Sequence, residues 1–269
     1  MLTVTELRYT ATNNYLIRGE RGGLLFDTGW AGTFPLLCRA LGEQGLRLQD
    51  ANYLIVSHFH PDHMGAAQEI ADAGVPLAAA DVQREYLHTS DRIFEKEHDR
   101  SFRPIDDSAV RIVPLADSRE FLGELGIVGE LLHAPGHSPD SISLWLEEER
   151  ALFVGDLAPL YELELHRGTE TAETWQRLLA MKPRMIYYGH ARPARLERGI
   201  FGRPKPADTD IYALVKRIMK LIDKGTAAED IQQKTGASPE FITDVTRMYL
   251  THPGVSVQGV LDRIEIKGK

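Results

Sequence analysis

The chain has 269 residues, enough for one α/β domain of ordinary size and a small appendage. Apolar residues make up 43% and charged residues 26%, which excludes a disordered chain, and no run approaches the roughly 20 apolar residues of a membrane-spanning helix. The net charge of −8 argues against nucleic acid as a partner, because an acidic surface repels phosphate backbones.

The first apolar strand ends in Gly22-Gly23-Leu24-Leu25-Phe26-Asp27-Thr28-Gly29. A helix follows, with Thr33 as its N-cap, Pro35 in its first turn and Gly45 beyond its end. Residues 51–57 (ANYLIVS) predict a buried strand that delivers the chain into His58-Phe59-His60-Pro61-Asp62-His63. A helix rich in small residues then stops at Gly74, and a strand follows around residues 75–79. Residues 84–108 mix charges with Tyr86, Phe94 and Phe102 and read as a helical excursion over the sheet. Strands are predicted near 110–115, 127–133, 142–146 and 151–154, then a helix over about 170–181 and a strand at 185–188. Pro193, Pro204 and Pro206 mark a linker that separates a domain over 1–203 from a C-terminal segment over 204–269. Beyond it, Ile211, Leu214, Val215, Ile218, Leu221 and Ile222 are spaced for one face of an amphipathic helix. Helices near 227–235 and 239–250 complete a small bundle, and a short strand over 259–267 closes the chain. Alternating strands and helices predict an α/β protein.

His58-x-His60-x-Asp62-His63 places four candidate ligands within six residues, directly after a buried strand. The C-terminal end of a strand is where open α/β sheets place their sites. Histidine and carboxylate suit zinc, iron and manganese. In an extended segment His58, His60 and Asp62 share one side while His63 turns to another, so one short segment can feed two adjacent metals.

This motif resembles that of the metallo-β-lactamase superfamily, and the resemblance extends over roughly residues 1–200. Asp27 in Leu-Phe-Asp-Thr-Gly matches the family's early structural aspartate. His137 in Pro-Gly-His-Ser matches its third metal histidine, Asp156 in Phe-Val-Gly-Asp its bridging carboxylate, and His190 in Tyr-Tyr-Gly-His its last ligand. The resemblance implies a four-layer αββα sandwich, here carrying a small C-terminal helical extension. It implies that His58, His60 and His137 hold a first metal, that Asp62, His63 and His190 hold a second, and that Asp156 bridges both. Two divalent ions about 3.5–4 Å apart can share a hydroxide that attacks a carbonyl, with Asp62 orienting it. Zinc is the default ion, and iron or manganese would occupy the same ligands. Asp27 is expected to fix a turn or a ligand histidine. His133 reads as a strand residue, and His88, His98, His166 and His252 read as structural or solvent-facing. Where the family often has glycine the chain has Asp140, whose effect on the ligand loops is left open.

Within the superfamily, the presence of both His60 and His63 argues against the di-iron flavoproteins, the chain length against the nuclease branches, and Asp156 against the antibiotic-destroying members. The remainder resembles the glyoxalase II-like, lactonase-like and thioesterase-like hydrolases, so a thioester or lactone is the expected substrate. A phosphodiesterase on the same two metals and a persulfide dioxygenase with one iron are the alternatives. Tyr161, Tyr86, Phe94 and Phe102 read equally as pocket lining or core, and Arg192, Arg195 and Arg198 as an anion grip or, more simply, a solvated turn. Residues 227–250 also resemble a helix-turn-helix, which raises a DNA-binding regulator. Residues 207–269 carry nine acidic and nine basic residues, however, without the basic stripe that DNA binding brings. Packing, dimerisation or a pocket wall is the preferred role for this segment. The N-terminal stretch lacks a basic start and an apolar run, and Cys38 alone forms no internal disulfide, so a cytoplasmic location is expected. The expected partner is a small-molecule substrate, with a homodimer compatible and neither nucleic acid nor membrane involved.

Overall fold

A computed structural model describes residues 2–160, 163, 166–191, 193–198, 204–206, 211–235, 237, 239–252 and 254–267. The chain divides into two compact units, Met1–Pro159 with Leu165–Lys205, and Leu160–Glu164 with Pro206–Lys269.

In the first unit, β1 (Thr3–Arg8), β2 (Asn13–Arg18), β3 (Gly23–Phe26) and β4 (Tyr53–Ile55) form one sheet in that order. The step from β3 to β4 is parallel, with α1 (Phe34–Glu43) as the crossover. Thr33 is the N-cap residue of α1, as expected, but its hydroxyl donates to the Trp30 carbonyl at 2.6 Å instead of capping a helix N–H. Two short helices, α2 (Pro61–Met64) and α3 (Ala67–Asp72), follow β4, and β5 (Ala78–Ala80) comes next. The excursion contains α4 (Asp91–Lys96) and leads to β6 (Arg111–Val113), which pairs with β5 in parallel. After α5 (Ser118–Glu124) come β7 (Gly129–His133), β8 (Ile142–Leu146) and β9 (Ala151–Phe153), then α6 (Glu170–Ala180). With β10 (Met185–Tyr187), β11 (Ala194–Arg198) and β12 (Pro204–Pro206) these strands make a second sheet in the order β12-β11-β10-β9-β8-β7.

The first sheet is apolar on both faces, as a covered central layer must be. Alternation sends Leu16, Leu25, Leu54 and Val56 to one side, where they join Leu37 and Leu41 of α1 and Ile70 of α3. It sends Tyr15, Ile17, Leu24, Phe26 and Ile55 to the other, against Leu131, Ile142, Leu144 and Phe153 of the second sheet. Phe153 meets Tyr15 and Phe26 across this seam at ring-centroid distances of 5.1 and 5.8 Å. Burial of each such aromatic ring contributes on the order of 1.5–3 kcal/mol. On α6, Thr171, Thr174, Trp175 and Leu178 are buried at helical spacing, and Trp175 Nε1 donates to the Ala158 carbonyl at 2.8 Å. The result is the αββα sandwich, with the site at the strand ends.

The second unit contains α7 (Ile211–Asp223), α8 (Ala228–Thr235), α9 (Pro239–Thr251) and α10 (Val257–Lys267) around Val215, Ile218, Ile231, Val245 and Val260. The strand expected over 259–267 is a helix. Its β-branched content suggested a strand, but Val257, Val260, Leu261 and Ile264 recur at helical spacing and pack into this small core. Among the described residues, no helix is long and apolar enough to cross a membrane.

Candidate metal centre

Four backbone segments build the site from the ends of strands. The segment after β4 keeps His60 extended (φ −78°, ψ 153°) as the residue that precedes α2, and Pro61 starts the helical turn without sacrificing a hydrogen bond. That switch from extended to helical backbone separates His58 and His60 from Asp62 and His63. The turn after β7 supplies His137, and the loops after β9 and β10 supply Asp156 and His190.

The structure brings all seven named ligands together, in two groups. One donor atom each from His58, His60 and His137 lies within 4.8 Å of the others, and the same holds for Asp62, His63, Asp156 and His190. In the first group His137 Nε2 is 3.0 Å from His60 Nδ1. In the second, His190 Nε2 is 2.9 Å from Asp62 Oδ2, and His63 Nε2 is 3.1 Å from Asp156 Oδ1. Asp156 Oδ2 reaches both groups, lying 3.4 Å from His190 Nε2, 3.6 Å from His137 Nε2 and 4.0 Å from His58 Nε2.

In His63 and His190 the ring nitrogen that points away from the centre is tied to an acceptor. His63 Nδ1 is 3.0 Å from the Asp27 carboxylate, and His190 Nδ1 is 3.1 Å from the Ala11 carbonyl. A carboxylate and a carbonyl only accept, so Nδ1 carries the proton in both rings, and in the neutral ring the Nε2 lone pair faces the centre. His58 Nδ1 contacts Ser57 Oγ at 3.0 Å, while its Nε2 is buried with no hydrogen-bond partner. A buried polar atom left without a partner is costly. A divalent cation would satisfy it, and imidazole with carboxylate is the donor set that zinc, iron and manganese prefer. The residues fit the ion.

Without a cation the two groups polarise each other. Hydrogen bonds to Asp156 and Asp62 push the His190 pKa up to about 10. Burial opposes the charge on His63, but Asp27 and Asp156 outweigh it and hold this pKa well above the usual histidine value. Burial also opposes ionisation of Asp156, yet hydrogen bonds from His190 and His63 keep its carboxyl well below the carboxylate range. Burial and the neighbouring His63 push His58 the other way, well below the ordinary histidine value. A cation bound here would compete with protons for His63 and His190.

Asp27 is itself buried and adopts a left-handed backbone (φ 65°). It accepts from Ser57 N at 2.6 Å and Ser57 Oγ at 3.0 Å while it holds His63, so one carboxylate fixes both ends of the ligand segment. Asp140 has a comparable task. Its Oδ2 accepts from Phe59 N, between two ligand histidines, at 2.7 Å, and its Oδ1 accepts from the hydroxyl of Ser138, next to His137, at 2.7 Å. Gln83 Nε2 adds bonds to the carbonyls of Val56, Ser57 and Asp140. Helix α6 pins the His137 turn through Thr174, whose hydroxyl donates to the Pro135 carbonyl at 2.7 Å. Gly189 leaves no room for a side chain, since a Cβ there would run into Asp156 Oδ1 and the His63 ring. Gln83, Thr174 and the Thr12–Asn13 pair described below carry no motif in the sequence.

The remaining named residues sit elsewhere. Phe94 is buried in the core, stacked on Phe102 at 4.0 Å, with Tyr86 packed against the same cluster. A cavity of about 550 Å³ opens beside them, lined by Phe94, Phe102, His98 and Arg100 among others, and it includes none of the seven ligands. His133 lies in β7 with Nε2 2.8 Å from the Pro139 carbonyl. His88 links Asp91 and Asp107 on the surface. Arg195 is exposed; Tyr161, Arg192 and the side chain of Arg198 lie outside the described residues.

The profile of the Metallo-beta-lactamase superfamily matches residues 7–190. The lactamase-like protein ptaB of Pestalotiopsis fici is 33% identical over 178 residues, covering 63% of this chain and 46% of that protein. The atrochrysone carboxyl ACP thioesterase of Aspergillus terreus is 32% identical over 150 residues, covering 54% of this chain and 38% of that protein. The match thus spans less than half the length of these two relatives. Among solved structures, TTHA1623 in a di-iron-bound form superposes with a TM-score of 0.54 at 22% identity, covering 72% of this chain and 94% of that one, and shows the same fold. With the profile covering more than half of its length, the chain belongs to the metallo-beta-lactamase superfamily.

Proposed function

We propose that the chain is a metal-dependent hydrolase that cleaves activated acyl bonds, thioesters or lactones. The observation that carries this reading is the pair of donor groups converging on one shared carboxylate, Asp156 Oδ2. His58, His60 and His137 would hold one cation, Asp62, His63 and His190 the other, and Asp156 both. Bound there, the cations supply Lewis-acid polarisation of the attacked carbonyl and a water of lowered pKa. The chain's own residues do the rest. Asp62, about one-third exposed beside His190, presents Oδ2 to orient the attacking water. Asp27, Ser57 and Asp140 hold the ligand segments rigid, so the charge that develops in the transition state meets preorganised groups. Zinc is the proposed ion, with iron or manganese on the same ligands as alternatives.

The acyl preference rests on leaving groups and on a relative. Thiolates and ring-opened alkoxides depart with little acid assistance, and among the described residues no side chain beyond the ligand set stands out as a dedicated acid. One relative is named an atrochrysone carboxyl ACP thioesterase, which favours the thioester. The test is kcat/KM for a thioester, a lactone, a phosphodiester and a β-lactam under identical metal loading. The acyl substrates are expected to lead. A phosphodiester ahead by about tenfold, or 1.4 kcal/mol of transition-state stabilisation, would overturn the assignment and leave the fold standing.

A further inference from the structure

We propose that Thr12, in the turn between β1 and β2, and Asn13, the first residue of β2, are positioning residues that hold the second cation position and govern its filling separately from the first. The proposal rests on the metal-dependent reading above and adds a device to it.

Three consecutive residues, from this turn into the start of β2, touch the ligands of that position or the loop that carries them. The Ala11 carbonyl accepts from His190 Nδ1 at 3.1 Å. The Thr12 hydroxyl donates to the Asp62 carbonyl at 2.9 Å and lies 3.3 Å from Asp62 Oδ2. The Asn13 side chain donates to the carbonyls of Tyr188 at 3.0 Å and Ala191 at 2.9 Å, while its backbone N–H donates to the Gly189 carbonyl at 2.7 Å. His190 is therefore bracketed on both sides by one asparagine. Asn14 braces the turn, its side chain donating to the Thr12 carbonyl at 2.9 Å.

The need for this clamp follows from the local structure. Helix α2 has four residues, too few to satisfy its own carbonyls within the helix. The His63 carbonyl is met by Thr28, through backbone N–H and hydroxyl at 2.9 and 3.0 Å, and the Asp62 carbonyl by Thr12. Thr12 is 1% exposed, so water does not replace it readily. Asp62 and His190 come from segments far apart in sequence, and both are partly open to solvent. The first group is fixed by other means, through Ser57 and the Asp140 carboxylate. Ser57 Oγ also lies 3.3 Å from His63 Nδ1 and so touches both groups, whereas Asp140 braces only the first and Thr12 with Asn13 only the second.

The experiment is a Co²⁺ titration of the chelator-stripped full chain, followed by visible absorption, for wild type, Thr12→Val, Thr12→Ser and Asn13→Ala. Valine keeps the shape of threonine and removes the donor, and serine keeps the donor. Partners that orient metal ligands affect affinity by about 10- to 100-fold. Thr12→Val and Asn13→Ala are expected to weaken the second equivalent by about tenfold or more and to leave the first within about twofold, with Thr12→Ser close to wild type. If wild type binds two equivalents and Thr12→Val is unchanged, weakens both steps equally, or is matched by Thr12→Ser, the proposal is overturned alone. Wild type binding fewer than two equivalents would overturn the two-cation reading and the proposal with it.

Discussion

Asp156→Ala is expected to lower kcat/KM by more than about a hundredfold, because residues that only orient metal ligands already reach that figure. The reason is position. Among the described residues, Asp156 Oδ2 is the one carboxylate oxygen within 4.0 Å of histidines from both groups, at 3.6 Å from His137 and 3.4 Å from His190. Its removal takes a negative charge from a centre where His63 and His190 sit beside it, so the remaining ligands face one another with less compensation. Metal content should fall together with turnover, and KM should change less than kcat if the lost interaction belongs to the transition state. Steady-state kinetics beside elemental analysis of the same sample reads both quantities. A variant that keeps its full metal content and wild-type kcat would remove Asp156 from the centre.

Asp27→Ala is expected to destabilise the metal-free chain by about 3 kcal/mol or more. The carboxylate is 1% exposed and accepts three hydrogen bonds, from Ser57 N, Ser57 Oγ and His63 Nδ1. Each buried donor left without an acceptor costs about 1–3 kcal/mol. Alanine also takes on the left-handed backbone at φ 65°, which adds roughly 1 kcal/mol. At about 2–4 °C per kcal/mol for a domain of this size, the melting temperature should fall by about 6–12 °C. Asp27→Asn tolerates the backbone and keeps one acceptor oxygen, so it should lie between the two. Thermal unfolding after chelation measures this, and a fall of less than about 2 °C would show that Asp27 does not hold the ligand segment.

The parts of the molecule legible in the sequence are those whose cause is local. A strand that ends in His-x-His-x-Asp-His writes its chemistry within six residues, and the buried run before it states its own burial. The unbroken apolar run Leu24-Leu25-Phe26 in β3 marks two covered faces for the same reason. The supports of the site leave no such mark. Thr12 meets Asp62 across 50 positions, Asn13 meets Ala191 across 178, and Asp140 meets Phe59 across 81. An ordinary threonine or asparagine acquires its role only when folding brings the partner to it. Asp140 was visible only as a departure from the glycine usual in the superfamily, and the structure explains it by the backbone N–H it accepts between two ligand histidines. Helix α10 misled for a different reason. Its β-branched residues favour strand locally, while the 3–4 spacing of its apolar positions is rewarded only by packing against other helices of the second unit.

The central claim is that turnover depends on cations held by the two converging groups. Purified chain should contain close to two divalent ions, one for each group. Dialysis against a chelator should abolish hydrolysis of the preferred acyl substrate, and adding back Zn²⁺, Fe²⁺ or Mn²⁺ should restore it in step with occupancy. Full turnover in protein that elemental analysis finds free of transition metal would contradict the account at its root.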